Sequence, residues 1–106
     1  VTAELPHPEM DTLEIGTLFA ALADPTRLRI VLALMAERNC VRLCGTFDLP
    51  VAKATRTHHF RVLREAGLIR QVDLGNGRTN ELRWDDLERR FPDLVRLLAA
   101  EAAARA

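Results

Sequence analysis

Apolar positions change their period along this chain, and the changes mark its elements. From Thr12, the residues Leu13, Ile15, Leu18, Phe19 and Leu22 recur at the three-to-four-residue spacing of an amphipathic helix. A second helix opens in "ADPTRLRIVLALMAE". Asp24 is an N-cap, and Pro25 stands at the first helical position, where its missing N–H costs nothing. Leu28, Val31, Leu32 and Met35 form the stripe of that helix, and Asn39 and Cys40 mark its end. "VRLCGTFDLP" is short and mixed, and reads as one or two helical turns ending near Asp48-Leu49-Pro50. A third helix runs from about Ala52 to Ala66, with Gly67 as a left-handed C-cap. The period then drops to two. "LIRQVDLGNGRTNELRW" alternates roughly on both sides of Asn76-Gly77, a pair that tolerates positive φ and signals a hairpin. Asp85 to Arg90 reads as a short helical turn. Pro92 opens a last helix with Phe91, Leu94, Val95, Leu98 and Ala102 on one stripe. Pro6 and Pro8 make residues 1–11 an extended N-terminal arm ahead of one domain over 12–106.

A short helix, a turn and a longer helix give a helix-turn-helix outline. A basic helix followed directly by a hairpin, with Arg78 beside its tip, adds a wing at about 69–83. The expected fold class is α+β, mostly α: a winged helix-turn-helix with additional N- and C-terminal helices. Those two helices carry more apolar stripe than so small a core can cover, which suits them to dimerisation.

Composition narrows the setting. At 106 residues, 48% hydrophobic and 28% charged, the chain fits one folded globular domain. No apolar run approaches the length of a membrane span, so no membrane partner is expected. The start, "VTAELPHPEM", does not read as a signal peptide, and two cysteines without one point to a reducing, cytoplasmic setting. Net charge is zero, but residues 1–50 carry −3, residues 51–83 carry +4 and residues 84–106 carry −1. A local positive field, rather than net charge, is what attracts phosphate.

Much of that charge sits in "KATRTHHFRVLREAGLI". Projected at about 100° per residue, Ala52, Thr55, His59, Phe60, Leu63 and Ala66 gather on a core side. Lys53, Ala54, Thr57, His58, Arg61 and Arg64 gather on an outer side. Long cations for phosphate, short polar groups for base edges and a small residue for close approach are what a recognition helix needs. Arg56 falls near the core side. It either snorkels to a phosphate or pairs with a carboxylate such as Asp48.

Other chemistry is weaker. His58 and His59 are adjacent and point about 100° apart, so they do not share one ion comfortably. Cys40, Cys44 and His58 resemble a zinc-finger prefix, but the second histidine follows at the wrong spacing. His59 is expected on the core side with a hydrogen-bond partner, and His58 toward solvent. No nucleophile–base spacing, paired-carboxylate pattern or phosphate-cradling glycine loop suggests an enzyme, and no cofactor is expected.

"LFAALADPTRLRIVLAL", then "ATRTHHFRVLREAGLI", then a "GNGR" wing, resembles the ArsR/SmtB family of winged-helix repressors over residues 12–98. The resemblance implies a homodimer on a double-stranded operator, tuned by a metal ion, a thiol oxidant or a partner protein. Family contacts carried onto this chain fall on Lys53, Ala54, Thr57, His58 and Arg61 of a recognition helix at about 52–66, and on Arg78 of the wing. Arg64 shares the outer face, and Arg56 stands where the family usually has an apolar residue. The dimer-forming elements place Leu18, Phe19, Leu94 and Leu98 at an interface. The family's Cys-x-Cys sensor positions fall on Val41 and Leu43, which are not ligands, and the last helix has no histidine. Cys40 and Cys44 remain as a thiol switch or half of a soft-metal site, with His7 on the arm as a further candidate. The expectation is no metal held by this chain's own residues. An alternative to the DNA reading is a winged-helix protein-interaction module, or a regulator whose effector is sensed by a partner.

Overall fold

The computed structural model describes residues 3–38 and 41–106. Asn39 and Cys40, expected to close the second helix, lie outside the described residues. The elements follow as β1 (Ala3–Glu4), α1 (Ile15–Leu22), α2 (Pro25–Met35), β2 (Arg42–Leu43), α3 (Lys53–Ala66), β3 (Ile69–Asp73), β4 (Arg78–Leu82), α4 (Trp84–Arg90) and α5 (Pro92–Ala104). Single 3-10 turns lie at Met10–Thr12 and Cys44–Thr46. The result is the α+β winged helix-turn-helix class. Among the described residues, no helix is long and apolar enough to cross a membrane.

Local rules set most boundaries. Oδ2 of Asp24 accepts the N–H of Arg27 at 3.0 Å, and Pro25 occupies the first turn of α2. That hydrogen bond is also the main reason the Asp24 carboxyl titrates below its ordinary range. Gly67 ends α3 at φ 91°, where its N–H reaches Arg64 O and the Leu68 N–H reaches Leu63 O, both at 3.0 Å. These are the paired bonds of a Schellman cap. A side chain at Gly67 would also run into Leu13, so the position is closed twice over.

The core joins Leu18 of α1, Ile30, Val31 and Leu34 of α2, Phe60 and Leu63 of α3, Leu68 and Ile69 at the start of β3, and Val95 and Leu98 of α5. Burial on α2 extends beyond the expected stripe to Ile30 and Leu34, because other elements pack on more than one side of it.

Residues 41–50 differ from the expected one or two helical turns. They form the two-residue β2, one 3-10 turn and an extended Phe47. Arg42 and Leu43 pair with Asn80 and Thr79 of β4, so sheet pairing takes the backbone groups that a helix would have used. Phe47 is buried edge-on against Phe60, with ring centroids 5.2 Å apart, and the Arg42 guanidinium covers its other side at 4.1 Å. The segment before α3 is thus held by an aromatic anchor.

The sheet is antiparallel in the order β1-β3-β4-β2. Its central hairpin pairs Ile69 with Leu82 through Asp73 with Arg78. The turn carries positive φ at Gly75, at 90°, and not at Gly77 as an Asn-Gly turn would. Leu74 donates to Gly77 O at 2.8 Å, and the Asp73 side chain accepts the Gly75 N–H at 2.8 Å. The four-residue loop with its Asx contact replaces the expected two-residue turn.

The N-terminal arm is docked. Ala3 and Glu4 pair with Asp73 and Val72, and the Pro8, Met10 and Leu13 carbonyls accept from Arg83 and Arg90 at 2.6–3.0 Å.

Candidate nucleic-acid interface

The basic helix α3 stands on the core by one flank and leaves the other to solvent. Lys53, Ala54, Thr57, His58 and Arg61 are exposed, and Arg78 is half-buried on β4 beside the wing loop. These residues lie on the face expected of them. Thr57 Oγ1 bonds back to Lys53 O at 3.0 Å, and Arg61 is loosely tethered to Glu65 one turn on at 3.5 Å. Arg78 lies 3.7 Å from the Asp73 carboxylate across the hairpin. Such exposed pairs are weak and exchange readily for a phosphate. The face therefore offers mobile cations around a small residue and a hydroxyl, as groove recognition requires. Ala52 and Thr55 are exposed too, although the helical projection put them on the core side. They belong to the first turn and cap of α3, ahead of the buried run that starts at His59.

Arg64 departs from the outer face. It is only 6% exposed, because β3 turns back at Gly67 and covers that flank of the helix. Its Nη1 donates to Gln71 Oε1 at 2.9 Å, and its Nε is buried without an acceptor. Burial, followed by the nearby Arg78, lowers the pKa of this guanidinium. Arg64 is a structural cation and not part of the exposed face.

From Gln71 the polar chain continues inward. Gln71 Nε2 donates to Asn80 Oδ1 at 2.7 Å, and Asn80 Nδ2 donates to Arg42 O at 3.0 Å and to Cys44 Sγ at 3.1 Å. Gln71 and Asn80 are fully buried and face each other across β3 and β4. They tie the helix, the wing and β2 together. Two polar residues at opposed positions of a predicted hairpin were the available signal, but periodicity alone does not bury them.

Arg56 is half-buried at the start of α3 and makes no ion pair with Asp48 or another acid among the described residues. Arg56 lines a cleft between α3 and the wing. His59 sits on the core side as expected. Its Nδ1 lies 3.3 Å from Arg27 Nη1 and 3.9 Å from Asp24 Oδ2.

The other expected surface changes membership. Leu18 and Leu98 are buried within the chain's own core, so they do not offer an interface. Phe19 is 55% exposed, and beside it Ile15 and Leu97 are exposed at 41% and 64%. Leu94 borders the same shallow groove. From sequence, Ile15 was read only as part of the first helix's stripe, and Leu97 was not named. Their signal was spacing: Ile15 precedes Phe19 by four residues, and Leu97 follows Leu94 by three.

Cys40 lies outside the described residues. Cys44 is half-buried and unpaired, held by amide donors. His7 is turned inward, its Nε2 accepting the Gln71 N–H at 2.9 Å. Among the described residues, no three His, Cys, Asp or Glu side chains converge as a metal site.

Comparison with known proteins agrees with this geometry. A family described as "Helix-turn-helix domain" matches residues 22–72. An uncharacterised HTH-type transcriptional regulator of Methanocaldococcus jannaschii, MJ1325, is 37% identical over 54 residues, covering 50% of this chain and 60% of that protein. A transcriptional repressor SmtB homolog of Synechocystis is 32% identical over 74 residues, covering 65% of this chain and 54% of that protein. The chain thus spans somewhat over half the length of these relatives. Among solved structures, Rv0081 of M. tuberculosis superposes with a TM-score of 0.60 at 23% identity, covering 86% of this chain and 91% of that one. An ArsR family transcriptional regulator, RHA00566, gives 0.55 at 24% identity, covering 87% and 95%. These last two likenesses speak to the fold.

Proposed function

We propose that this chain is a winged helix-turn-helix regulator of the ArsR/SmtB type, a sequence-specific DNA-binding repressor acting as a homodimer. The observation that carries the reading is the exposed face of α3, where Lys53, Thr57, His58 and Arg61 surround Ala54 and the helix's single acid, Glu65, lies beyond Arg61 near the C-terminal end. In this reading α3 enters the major groove. Thr57 and His58 meet base edges, Lys53 and Arg61 meet phosphate, and Ala54 lets the helix backbone approach. Arg78 carries the wing to the flanking backbone or the minor groove, and Arg56 reaches a phosphate at the helix start.

Two copies give the operator its symmetry. The exposed Phe19, Ile15 and Leu97, with the half-buried Leu94, form the apolar surface a second copy would cover. Dimerisation there would present two copies of α3 about 34 Å apart, one turn of duplex, or a multiple of it. In this reading the effector is a small molecule or a partner protein.

The test is a footprint on the chain's own upstream region together with duplex binding across a salt series. A protected, roughly palindromic site and a steep salt dependence are expected. Binding that is weak at low salt and indifferent to sequence would refute the reading.

A further inference from the structure

The cleft between α3 and the wing has a volume of about 630 Å³, within the range of small-molecule sites. Its lining is unlike what duplex backbone alone requires. Phe60 and Gln71, both fully buried residues, form its floor. Leu43 and Leu74 also line it, at 43% and 39% exposed, two of the six large apolar side chains left open to solvent among the described residues. Lys53, Arg56 and Arg78 line the same cleft, and no Asp or Glu does. Apolar walls and a buried aromatic floor have no use for a sugar-phosphate chain, whereas three cations, of which only Arg78 has a carboxylate near it, have no use for a neutral hydrocarbon. One occupant satisfies both: an apolar body carrying a single anionic group.

We propose that this cleft is a binding site for a small amphipathic anion, a carboxylate or sulfonate on a hydrophobic body, and that its occupation excludes DNA. The anionic group pairs with Arg56, which has no acid partner among the described residues, and with Lys53 or Arg78 at the cleft's borders. The apolar body packs against Leu43, Leu74 and Phe60. Exclusion follows because Lys53, Arg56 and Arg78 are claimed by ligand and phosphate alike. That second half rests on the DNA-binding reading. The site itself does not. It also gives the family's regulatory logic a place on this chain that uses neither cysteine pairs nor metal.

The experiment uses the full chain and decanoate as the probe, with decyltrimethylammonium as a cation of similar length and sodium sulfate as an anion without an apolar body. Binding is followed by calorimetry without DNA. Saturable decanoate binding at one per chain is expected, with neither control binding. Leu43→Ser/Leu74→Ser should weaken it about tenfold or more, since two apolar walls are lost. Both positions are exposed, and unchanged circular dichroism checks that the variant folds. Gly45→Phe is a second variant: a Cβ there meets nothing within 4 Å, so its ring can fill the cleft and abolish binding. Duplex is then titrated with decanoate against sodium chloride at equal ionic strength, and displacement by decanoate alone is expected.

No saturable decanoate binding, equal binding in both variants and wild type, or equal binding of the ammonium probe would overturn the site. Decanoate bound with duplex affinity unchanged would overturn the exclusion. A chain that binds decanoate but never binds duplex would uphold the site and refute the DNA-binding reading instead.

Discussion

Arg27 of α2 places its Nη1 3.3 Å from Nδ1 of His59 in α3, while its Nε donates to Ala21 O at 2.7 Å at the end of α1. One side chain thus closes the carbonyl end of the first helix and fixes the basic helix against it. A cation suits that end of a helix, where the last carbonyls lack partners. Facing a cation, Nδ1 of His59 serves as the acceptor. Arg27→Ala should therefore cost about 1.5–3 kcal/mol of stability, in the range for hydrogen bonds to a charged group. Urea unfolding measures it, and an effect below about 0.5 kcal/mol would show that the triangle of helices holds without it.

Arg61 and Arg64 are three residues apart and should behave oppositely. Arg61, exposed, should lower the salt slope of duplex binding by about 0.9 when changed to alanine, if it meets one phosphate. The melting temperature should not move. Arg64→Ala leaves Gln71 Oε1 and the buried chain behind it unpartnered, and should cost about 1–3 kcal/mol of stability. Paired melting curves and salt titrations separate the two. An Arg64 variant with wild-type stability would refute its structural role.

Phe19→Glu and Leu97→Glu should each give folded monomers, because both side chains are exposed and outside the chain's own core. Leu98→Glu should unfold the chain, since it buries a charge without a partner. Light scattering with circular dichroism distinguishes these outcomes. A wild-type protein that stays monomeric at micromolar concentration would remove the proposed interface.

His7 links stability to pH. Its Nε2 accepts the Gln71 N–H, and burial, helped by Arg64, Arg83 and Arg70, lowers its pKa below 6.5. The folded state therefore favours the neutral ring. Its contribution is fully present above the unfolded value of 6.5 and is lost as pH falls from there toward the folded value. Denaturant unfolding of wild type and His7→Ala should converge as pH drops from about 7.5 to about 5.5. Parallel pH profiles would show that the imidazole does not carry the linkage.

What the sequence made legible was governed by local backbone rules. Asp24-Pro25, Gly67 and Pro92 each mark an observed boundary, because a cap or a fixed φ acts within one turn. The exposed side of α3 was also legible, since helical period alone puts Lys53, Thr57 and Arg61 on one face. Arg64 escaped because its fate depends on where β3 travels after Gly67, which no local window contains. Leu18 and Leu98 were assigned to an interface along with Phe19 for the same reason: a stripe gives a direction, while neighbours decide which of its members meet solvent. The segment before α3 was read as helix because its pairing partner, β4, lies more than thirty residues away. The cleft beside Arg56 is likewise assembled from three separated stretches.

The short strands β1 and β2 have a consequence for how this protein lives in a crowded solution. A bare hairpin presents unpaired amide and carbonyl groups along both flanks, an open template for a strand from another chain. Here each flank is occupied by only two residues, and on the β3 side the His7 ring caps the next available amide. Such brief cover ends pairing without extending the ladder, so it leaves nothing for a further strand to register against. A chain trimmed through His7 would keep its helices and its wing, yet it would expose β3 to its own copies. Self-association of that trimmed form, through backbone pairing and not through the apolar helices, is what the two-residue strand at the N-terminus guards against.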